Sequence, residues 1–411
     1  MADGERVTYR SVLANREFAA LVLGQTLSTF GDQLARIAVA VMVFSRTASP
    51  LAASATYAIS YASYLVGGPV LSSLSDRWPR LTVMVTCDLL RAPLVLLLCA
   101  RSLPLAAVFV LVGLIGVLGP PFDSARGAVQ PDLLPGDAYV TGNALINVLV
   151  QSAQVVGFAA GGALVAEVSA RGALALDAAT FVVSAGLLLM FLKPRPAAIQ
   201  REQSRGLLAD TVDGWRLVAS ERYLRSLLLM ALLGSALLIA PEGLAVPIAA
   251  DLGRGPITAG FLTASIPAGF VLGGLAVLRL EQKARIVLLP WLVLLGGIPL
   301  ILSAFSGSAW VIGGLWLLSG AAGAVNLIAS SAFMQACPRE FRARAYGLAG
   351  TLLYAVQGAV LLLSGATAGT YGGRESVALY AGLVLALLAL AVSRGQRPIQ
   401  VFSETGRRPS G

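Results

Sequence analysis

The feature that most constrains this chain is the recurrence of uncharged apolar runs about as long as a lipid bilayer is thick. Such runs occupy Ser102–Phe122, Ala138–Ala166, Pro256–Leu278 and Ala345–Gly373, and Ile286–Pro338 is long enough for two with a turn between them. A helix needs about 20 apolar residues to cross the hydrocarbon core. In lipid every backbone N–H and C=O must bond within its own segment, so repeated runs of this length dictate a bundle of spanning helices. Composition agrees: 57% of the 411 residues are hydrophobic and 12% charged, with mean hydropathy +0.79, which is more apolar sequence than a soluble core can absorb. The expected fold is an all-α polytopic membrane protein.

Twelve transmembrane helices are expected, over 18–44, 51–74, 82–100, 103–121, 139–166, 172–192, 225–249, 257–278, 286–305, 309–333, 345–369 and 376–393. The segment Phe122–Tyr139 is polar enough to be placed outside the membrane, and Lys193–Arg225 divides the chain in half. This gives a cytoplasmic N-terminal segment (1–17), a first six-helix bundle (18–192), a linker (193–224), a second bundle (225–393) and a tail (394–411). Within the linker region, Ala209–Ser226 sets Trp215, Leu217 and Val218 beside Arg216, Arg222 and Arg225, the pattern of a short amphipathic helix lying on a membrane surface.

The two halves echo each other. Gly67–Leu81 closes the second span and turns into the third, as Gly273–Val287 does between the eighth and ninth. Gln130–Leu145 corresponds in the same way to Gln335–Gly350, about 205 residues later, so the halves form a pseudo-symmetric parallel repeat of the kind transporters use.

Basic residues orient the chain. With the N-terminus inside, the outward loops hold only Arg46, Arg101, Arg171, Arg254 and Arg374, and Arg36 and Arg91 fall within spans. The other twenty-three of the 30 Lys and Arg face the cytoplasm, which sets both termini there and the protein in the cell inner membrane. The same excess explains the net charge of +9. No basic run has interleaved aromatics, so no nucleic-acid partner is expected. The apolar run after Met1–Arg16 is too long and too charged for a cleaved signal peptide and is expected to stay as the first span.

What is missing limits the chemistry. There is no histidine, which removes Ser–His and Cys–His nucleophile pairs, histidine metal ligands and the commonest near-neutral proton shuttle. The only lysines, Lys193 and Lys283, do not follow glycine, so no Gly-Lys-Ser/Thr phosphate loop exists and no ATP use through that motif is expected. Cys87 and Cys99 lie twelve apart on one expected helix, about 18 Å along its axis, too far to bridge. With Cys337 they are expected to pack. No enzyme activity, cofactor or metal is expected.

The informative residues are the few charges inside spans, because a charge at the bilayer centre costs about 3 kcal/mol on insertion scales and so faces protein or a wet cavity. Asp32 and Arg36 in the first span are spaced i, i+4 and share a helix face. They are either a substrate- or proton-responsive pair in a cavity or a static ion pair that orders packing. Glu242, in the stretch Ala240–Pro247, lies between Pro241 and Pro247 beside Gly243, with no oppositely charged residue near it along its span. The prolines suit a helix that bends, and Glu242 is the better candidate for a proton carrier, with Asp32 the better candidate for a substrate-sensing switch. Asp177 is placed about one and a half turns from the outer face, where water can reach it, and Asp88 with Arg91 near the cytoplasmic side of span three. Asn143, Asn147, Gln151 and Gln154 form a polar stripe down span five, lining a cavity or bonding neighbouring helices, and Gln25 and Gln357 join the cavity-lining set. Gly157, Gly161 and Gly162 permit close helix contact.

At Ser72–Leu81 the chain resembles the major facilitator superfamily, whose loop between spans two and three reads Gly-x-x-x-Asp-Arg-x-Gly-Arg-Arg. Asp76, Arg77 and Arg80 match; Ser72, Pro79 and Leu81 do not. The resemblance implies a cytoplasmic gating role for the three that match, and Asp88 and Arg91 are grouped with them. Leu23–Ala38, Cys87–Leu98, Pro120–Leu145 and Asp213–Arg225 are similar to the drug-exporting branch that includes macrolide efflux proteins and the enterobactin exporter. The exporter motif Gly-Pro-x-x-Gly-Gly of span five is present here in its glycines, Gly157, Gly161 and Gly162, but has Phe158 for proline. What the resemblance implies is a monomeric secondary transporter that exports a hydrophobic or amphipathic small molecule, such as an antibiotic or other secondary metabolite, in exchange for protons. Siderophore or lipid export by the same fold, and a non-transporting membrane sensor or scaffold, remain open beside it.

Overall fold

The computed structural model describes residues 8–75, 78–195, 215–216, 218–338 and 342–393. All regular structure among them is helical. A five-residue helix, α1 (Tyr9–Leu13), is started by a capping box in which the Thr8 and Ser11 side chains each accept the other's backbone N–H. Then follow α2 (Arg16–Thr47), α3 (Pro50–Ser75), α4 (Arg80–Leu97), α5 (Leu105–Val117), α6 (Gly119–Leu133), α7 (Asp137–Glu167) and α8 (Ala170–Phe191). The rest are α9 (Arg222–Asp251), α10 (Pro256–Leu278), α11 (Gln282–Ser303), α12 (Ala309–Ala322), α13 (Ala324–Ala336), α14 (Arg342–Tyr371) and α15 (Gly373–Ser393).

The helix ends follow local chemistry. Pro50 and Pro256 open α3 and α10, where a missing N–H costs nothing. Asn15 caps α2 by accepting the N–H groups of Glu17 and Phe18 on its side-chain oxygen. Gly253 and Gly372, with φ of 65° and 96°, turn the chain out of α9 and α14 through the left-handed region that a Cβ disfavours.

Ten helical segments among the described residues are long and apolar enough to cross a membrane, where twelve were expected. The two that fall short are α3 and α4. The α4 helix carries Arg80, Asp88 and Arg91 within 18 residues. The α3 helix is diluted by serines, a threonine and three tyrosines, Tyr57, Tyr61 and Tyr64. The grouping is also less tidy than two bundles of six. One compact unit comprises 1–45 and 59–200, the other 46–58 and 201–411, so the start of α3 belongs with the second unit.

The internal repeat is visible in the fourth span of each half. The helix breaks once at Leu118, between α5 and α6, and again at Gly323, between α12 and α13, roughly 205 positions later. That spacing matches the echo in the sequence. The segment placed outside the membrane from its polarity, 122–139, is mostly helix: α6 runs to Leu133 and buries Phe122, Ala125 and Val129. Three of its charged residues are paired within the unit. Asp123 accepts from Tyr64 at 3.2 Å and from Arg126 at 3.4 Å, and Asp132 pairs with Arg80 at 2.6 Å.

Each unit has its own core. The first packs Phe18, Leu21, Met84, Phe122, Val129 and Leu188. The second packs Leu227, Met230, Leu244, Val293, Leu300 and Trp316, whose indole N–H donates to Ser303 at 3.3 Å. In the first unit the chain returns to one end after α8. Glu17, at the start of α2, accepts from the Lys193 backbone at 3.0 Å and from Arg195 at 2.8 Å, just past the end of α8.

Candidate functional site

The first unit gathers the intramembrane charges on three helices, α2, α4 and α8. Contact between α2 and α8 is possible because α2 presents glycine where α8 presents polar groups. A Cβ on Gly24 would lie 3.1 Å from the Ser184 hydroxyl, and one on Gly31 would collide with Asp177 and Thr180. Asp177 is thereby buried, 1% exposed, beside the middle of the first span. This overturns the expectation that it is hydrated near the outer face: counting turns gives depth along a helix but not which neighbour covers it.

Asp32 is half-buried, with Arg91 of α4 and Arg36 of its own helix as basic neighbours and Asp177 and Asp123 also in range. Arg36 lies 5.6 Å from the Tyr61 ring centre. Arg91 sits among aromatic faces, 5.8 Å from Phe122 and 5.4 Å from Phe181, where the ring quadrupoles favour a cation. Asp88, one turn before it on α4, is fully buried. Its carboxyl faces the Ser184 hydroxyl, but neither reaches hydrogen-bonding geometry. Asp88 and Arg91, assigned from sequence to the cytoplasmic gate, are therefore neighbours of Asp32.

Of the loop residues with them, Arg80 reaches α6, donating to the Ala128 carbonyl at 2.7 Å and to Asp132. Asp76 and Arg77 lie outside the described residues, as does most of the amphipathic segment 209–226 before Val218. On α7 the small residues face α2: a Cβ on Gly157 would lie 2.8 Å from the Phe30 carbonyl oxygen, and one on Gly161 3.2 Å from the Leu34 Cα. Gly162 is buried. Asn143 and Asn147 are exposed within this unit, and Gln151 and Gln154 half-buried. Gln25 is half-buried too, with its carbonyl oxygen enclosed and unbonded.

In the second unit Glu242 is half-buried on α9, which runs unbroken through Pro241 and Pro247. A cavity of about 310 Å³ opens between α9, α13 and α14. Its walls are mostly alanine, leucine and Phe333, and its polar groups are Ser330, Tyr354 and Gln357. Among the described residues no charged side chain lines it. Of the residues proposed from sequence to line a cavity, Gln357 lies here; Ser330 and Tyr354 carried no sequence signal, since single polar residues on an apolar helix are common.

A polytopic helical membrane protein built as two related halves, with charges buried among its spans, has the architecture of a membrane transporter. The profile of the Major Facilitator Superfamily matches residues 21–359, and the chain belongs to that family. Among curated relatives, the MFS-type transporter YfiS of Bacillus subtilis, itself uncharacterised, is 29% identical over 182 residues, 44% of this chain and 43% of the relative. The lysophospholipid transporter LplT of Pectobacterium carotovorum is 24% identical over 174 residues, 42% of each chain. The chain spans about half the length of the curated relatives it matches. Solved structures share the fold: the nucleoside transporter NupG aligns with TM-score 0.72 at 15% identity, covering 92% of this chain and 98% of that one. A bacterial homologue of the lysosomal transporter Spinster aligns with the same score at 13% identity, covering 96% and 98%. These likenesses reach the superfamily and not the narrower drug-exporting branch.

Proposed function

We propose that the protein is a secondary transporter that exports a hydrophobic or amphipathic small molecule across the cytoplasmic membrane in exchange for protons. The observation that carries this reading is the uncharged cavity of the second unit. Apolar walls with a few hydrogen-bonding groups bind apolar bodies with limited selectivity, and here those groups are Ser330, Tyr354 and Gln357. The reading takes the chain as twelve spans in two six-helix halves, 18–192 and 225–393, with both termini and the 193–224 linker cytoplasmic, acting as a monomer by alternating access. Asp32 with Arg36 serves as the substrate-sensitive switch and Glu242 as a proton carrier. Asn143, Asn147, Gln151, Gln154 and Gln25 line the path, and Asp76, Arg77 and Arg80 hold the cytoplasmic gate. Resemblance to the drug-exporting branch supports an antibiotic or other secondary metabolite as cargo.

A second reading is lipid export by the same fold, favoured by the similarity to a lysophospholipid transporter. Everted membrane vesicles separate the two. Uptake of ethidium or erythromycin that collapses with an uncoupler supports drug export, and uptake of lysophosphatidylcholine alone supports the lipid reading. Asp32→Asn is expected to abolish proton-driven uptake while the protein stays in the membrane; full uptake by that variant would remove Asp32 from the coupling. Membrane-inserted protein that moves none of the three probes would exclude both readings and leave siderophore export, or a sensor or scaffold, as the function.

A further inference from the structure

The cavity of the second unit changes character along its length. Leu227 near the start of α9, Phe333 near the end of α13 and Ala349 about two turns into α14 line it together, so these three helix ends lie at one end of the unit. Apolar groups crowd that end. Further in, Ser330 follows Phe333 by one turn of α13, and Tyr354 and Gln357 follow Ala349 and Gly350 along α14, with Gln357 at the middle of its helix. Two helices therefore set polar groups at the deep end and apolar groups at the other. From Ala349 to Gln357 the wall runs for about 12 Å at the helical rise. The volume, about 310 Å³, suits a small ligand or the leading part of a larger one.

Charge sorts the ligands that can use such a space. Among the described residues no charged side chain lines it. A carboxylate or phosphate there would give up its water and gain no counter-charge, whereas a neutral amide or hydroxyl needs only hydrogen bonds. Gln357 and Tyr354 each carry a donor and an acceptor, and Ser330 adds a hydroxyl. The rings of Phe333 and Tyr354 act in the same direction, because an aromatic face attracts cations and N–H groups and repels anions.

We propose that this cavity selects amphiphiles whose polar end is neutral or a delocalised cation and excludes anionic ones. The polar end sits against Gln357 and Tyr354, and the apolar body points toward Phe333 and Leu227. The phosphate of a lipid headgroup falls among the excluded groups. That the occupant is also the transported molecule rests on the export reading above; the polarity of the site does not.

Equilibrium binding to the full-length protein in nanodiscs, with empty nanodiscs as the blank, tests this without any transport. Three probes share one aromatic body: naphthamide, the cation of naphthamidine, and naphthoate. Wild-type protein should bind the amide and the amidinium at least about tenfold more tightly than the carboxylate, which has no counter-charge to meet. Gln357→Leu should weaken the amide several-fold. Gln357→Lys supplies the missing charge and should place naphthoate ahead of naphthamide. Gly350→Trp fills the space and should remove binding of all three. A diazirine on the ring position farthest from the amide should label peptides around Phe333 or Leu227 and not around Gln357. Should Gln357→Lys fail to fold, the leucine and tryptophan variants carry the test. Naphthoate bound by the wild type as tightly as naphthamide would overturn the proposal. So would no naphthamide binding, binding indifferent to Gly350→Trp, or labelling in the reverse sense. Binding in the expected order without uptake of any probe into everted vesicles would sink export and leave the site standing. Uptake of ethidium or erythromycin by protein that binds no naphthamide would do the opposite.

Discussion

The Ser54 hydroxyl donates to the backbone carbonyl of Gly243 at 3.0 Å, and that carbonyl is the one that Pro247, four residues on, leaves without an N–H partner. Ser54 is fully buried, and the same hydroxyl lies 3.0 Å from where a Cβ on Gly243 would stand. Pro247 therefore sits in α9 with the carbonyl it frees bonded by a side chain from α3, a residue more than 180 positions earlier.

Ser54→Ala is expected to leave a buried acceptor unsatisfied, at a cost of about 1–3 kcal/mol. Thermal unfolding of detergent-solubilised protein should show a lower midpoint. In a Pro247→Ala background the restored N–H supplies the helix bond, so Ser54→Ala should lose most of its effect. A double-mutant cycle reads the difference directly, and an equal loss in both backgrounds would show that Ser54 acts through packing alone.

Gly31→Ala is expected to destabilise the first unit. The added methyl meets Asp177 and Thr180, both nearly enclosed, so neither can swing aside. Overpacking of this kind costs about 1–3 kcal/mol. Gly186→Ala is the control: its Cβ meets nothing within 4 Å, and replacing a helical glycine with alanine stabilises by up to about 1 kcal/mol. Midpoints that move in opposite directions bear this out; parallel shifts would mean the α2–α8 contact is looser than the geometry shows.

Much of the fold was legible because membrane spans obey a rule of length and apolarity that acts locally. Helix ends such as Pro256 and Phe191 fall within a few residues of the runs that mark them. Asp32 and Arg36 were legible for the same reason, since a charge in an apolar run stands out. What a run of letters does not contain is the side of a helix that meets a neighbour. Asp177 was assigned a depth and, from it, water; Gly31, which covers it, lies in another span. Asp88 and Arg91 were grouped with a loop motif nearby in sequence, whereas α8 supplies Ser184 and Phe181 as their surroundings. The helical continuation through Gly119–Leu133 was hidden because its charges find partners that lie far off in sequence, the Tyr64 phenol donating to Asp123 and Arg80 pairing with Asp132.

One packing signal was present in the sequence and passed over. Gly269 and Gly273 on α10 are four apart, the spacing that lets two membrane helices approach backbone to backbone. A Cβ on Gly269 would fall on the Leu317 carbonyl and one on Gly273 on the Ala321 carbonyl, while Gly320 of α12 meets Ile266 in return. Backbone cannot rotate away as a side chain can. Gly273→Leu should therefore prevent a monodisperse folded protein on size exclusion, and Gly273→Ala should lower the unfolding midpoint further than Gly31→Ala. A Gly273→Ala protein as stable as the wild type would show that α10 and α12 can separate without loss.

The cavity of the second unit can be tested by filling it. Gly350 lines it, and a Cβ at Gly350 meets nothing within 4 Å, so a side chain there extends into open space without displacing a neighbour. Alanine at this position gains helix propensity of up to about 1 kcal/mol and takes little room. Phenylalanine or tryptophan occupies a large part of the roughly 310 Å³ beside Leu353 and Phe333. If the cavity receives the transported molecule, uptake of ethidium or erythromycin into everted vesicles should decline in the order glycine, alanine, phenylalanine, tryptophan, with the unfolding midpoint unchanged or raised. Gln357→Leu keeps the volume but removes a hydrogen-bonding group, and should weaken half-saturation for the more polar probe and spare the less polar one. Transport that is indifferent to bulk at Gly350 while the protein stays folded would move the binding site out of this cavity.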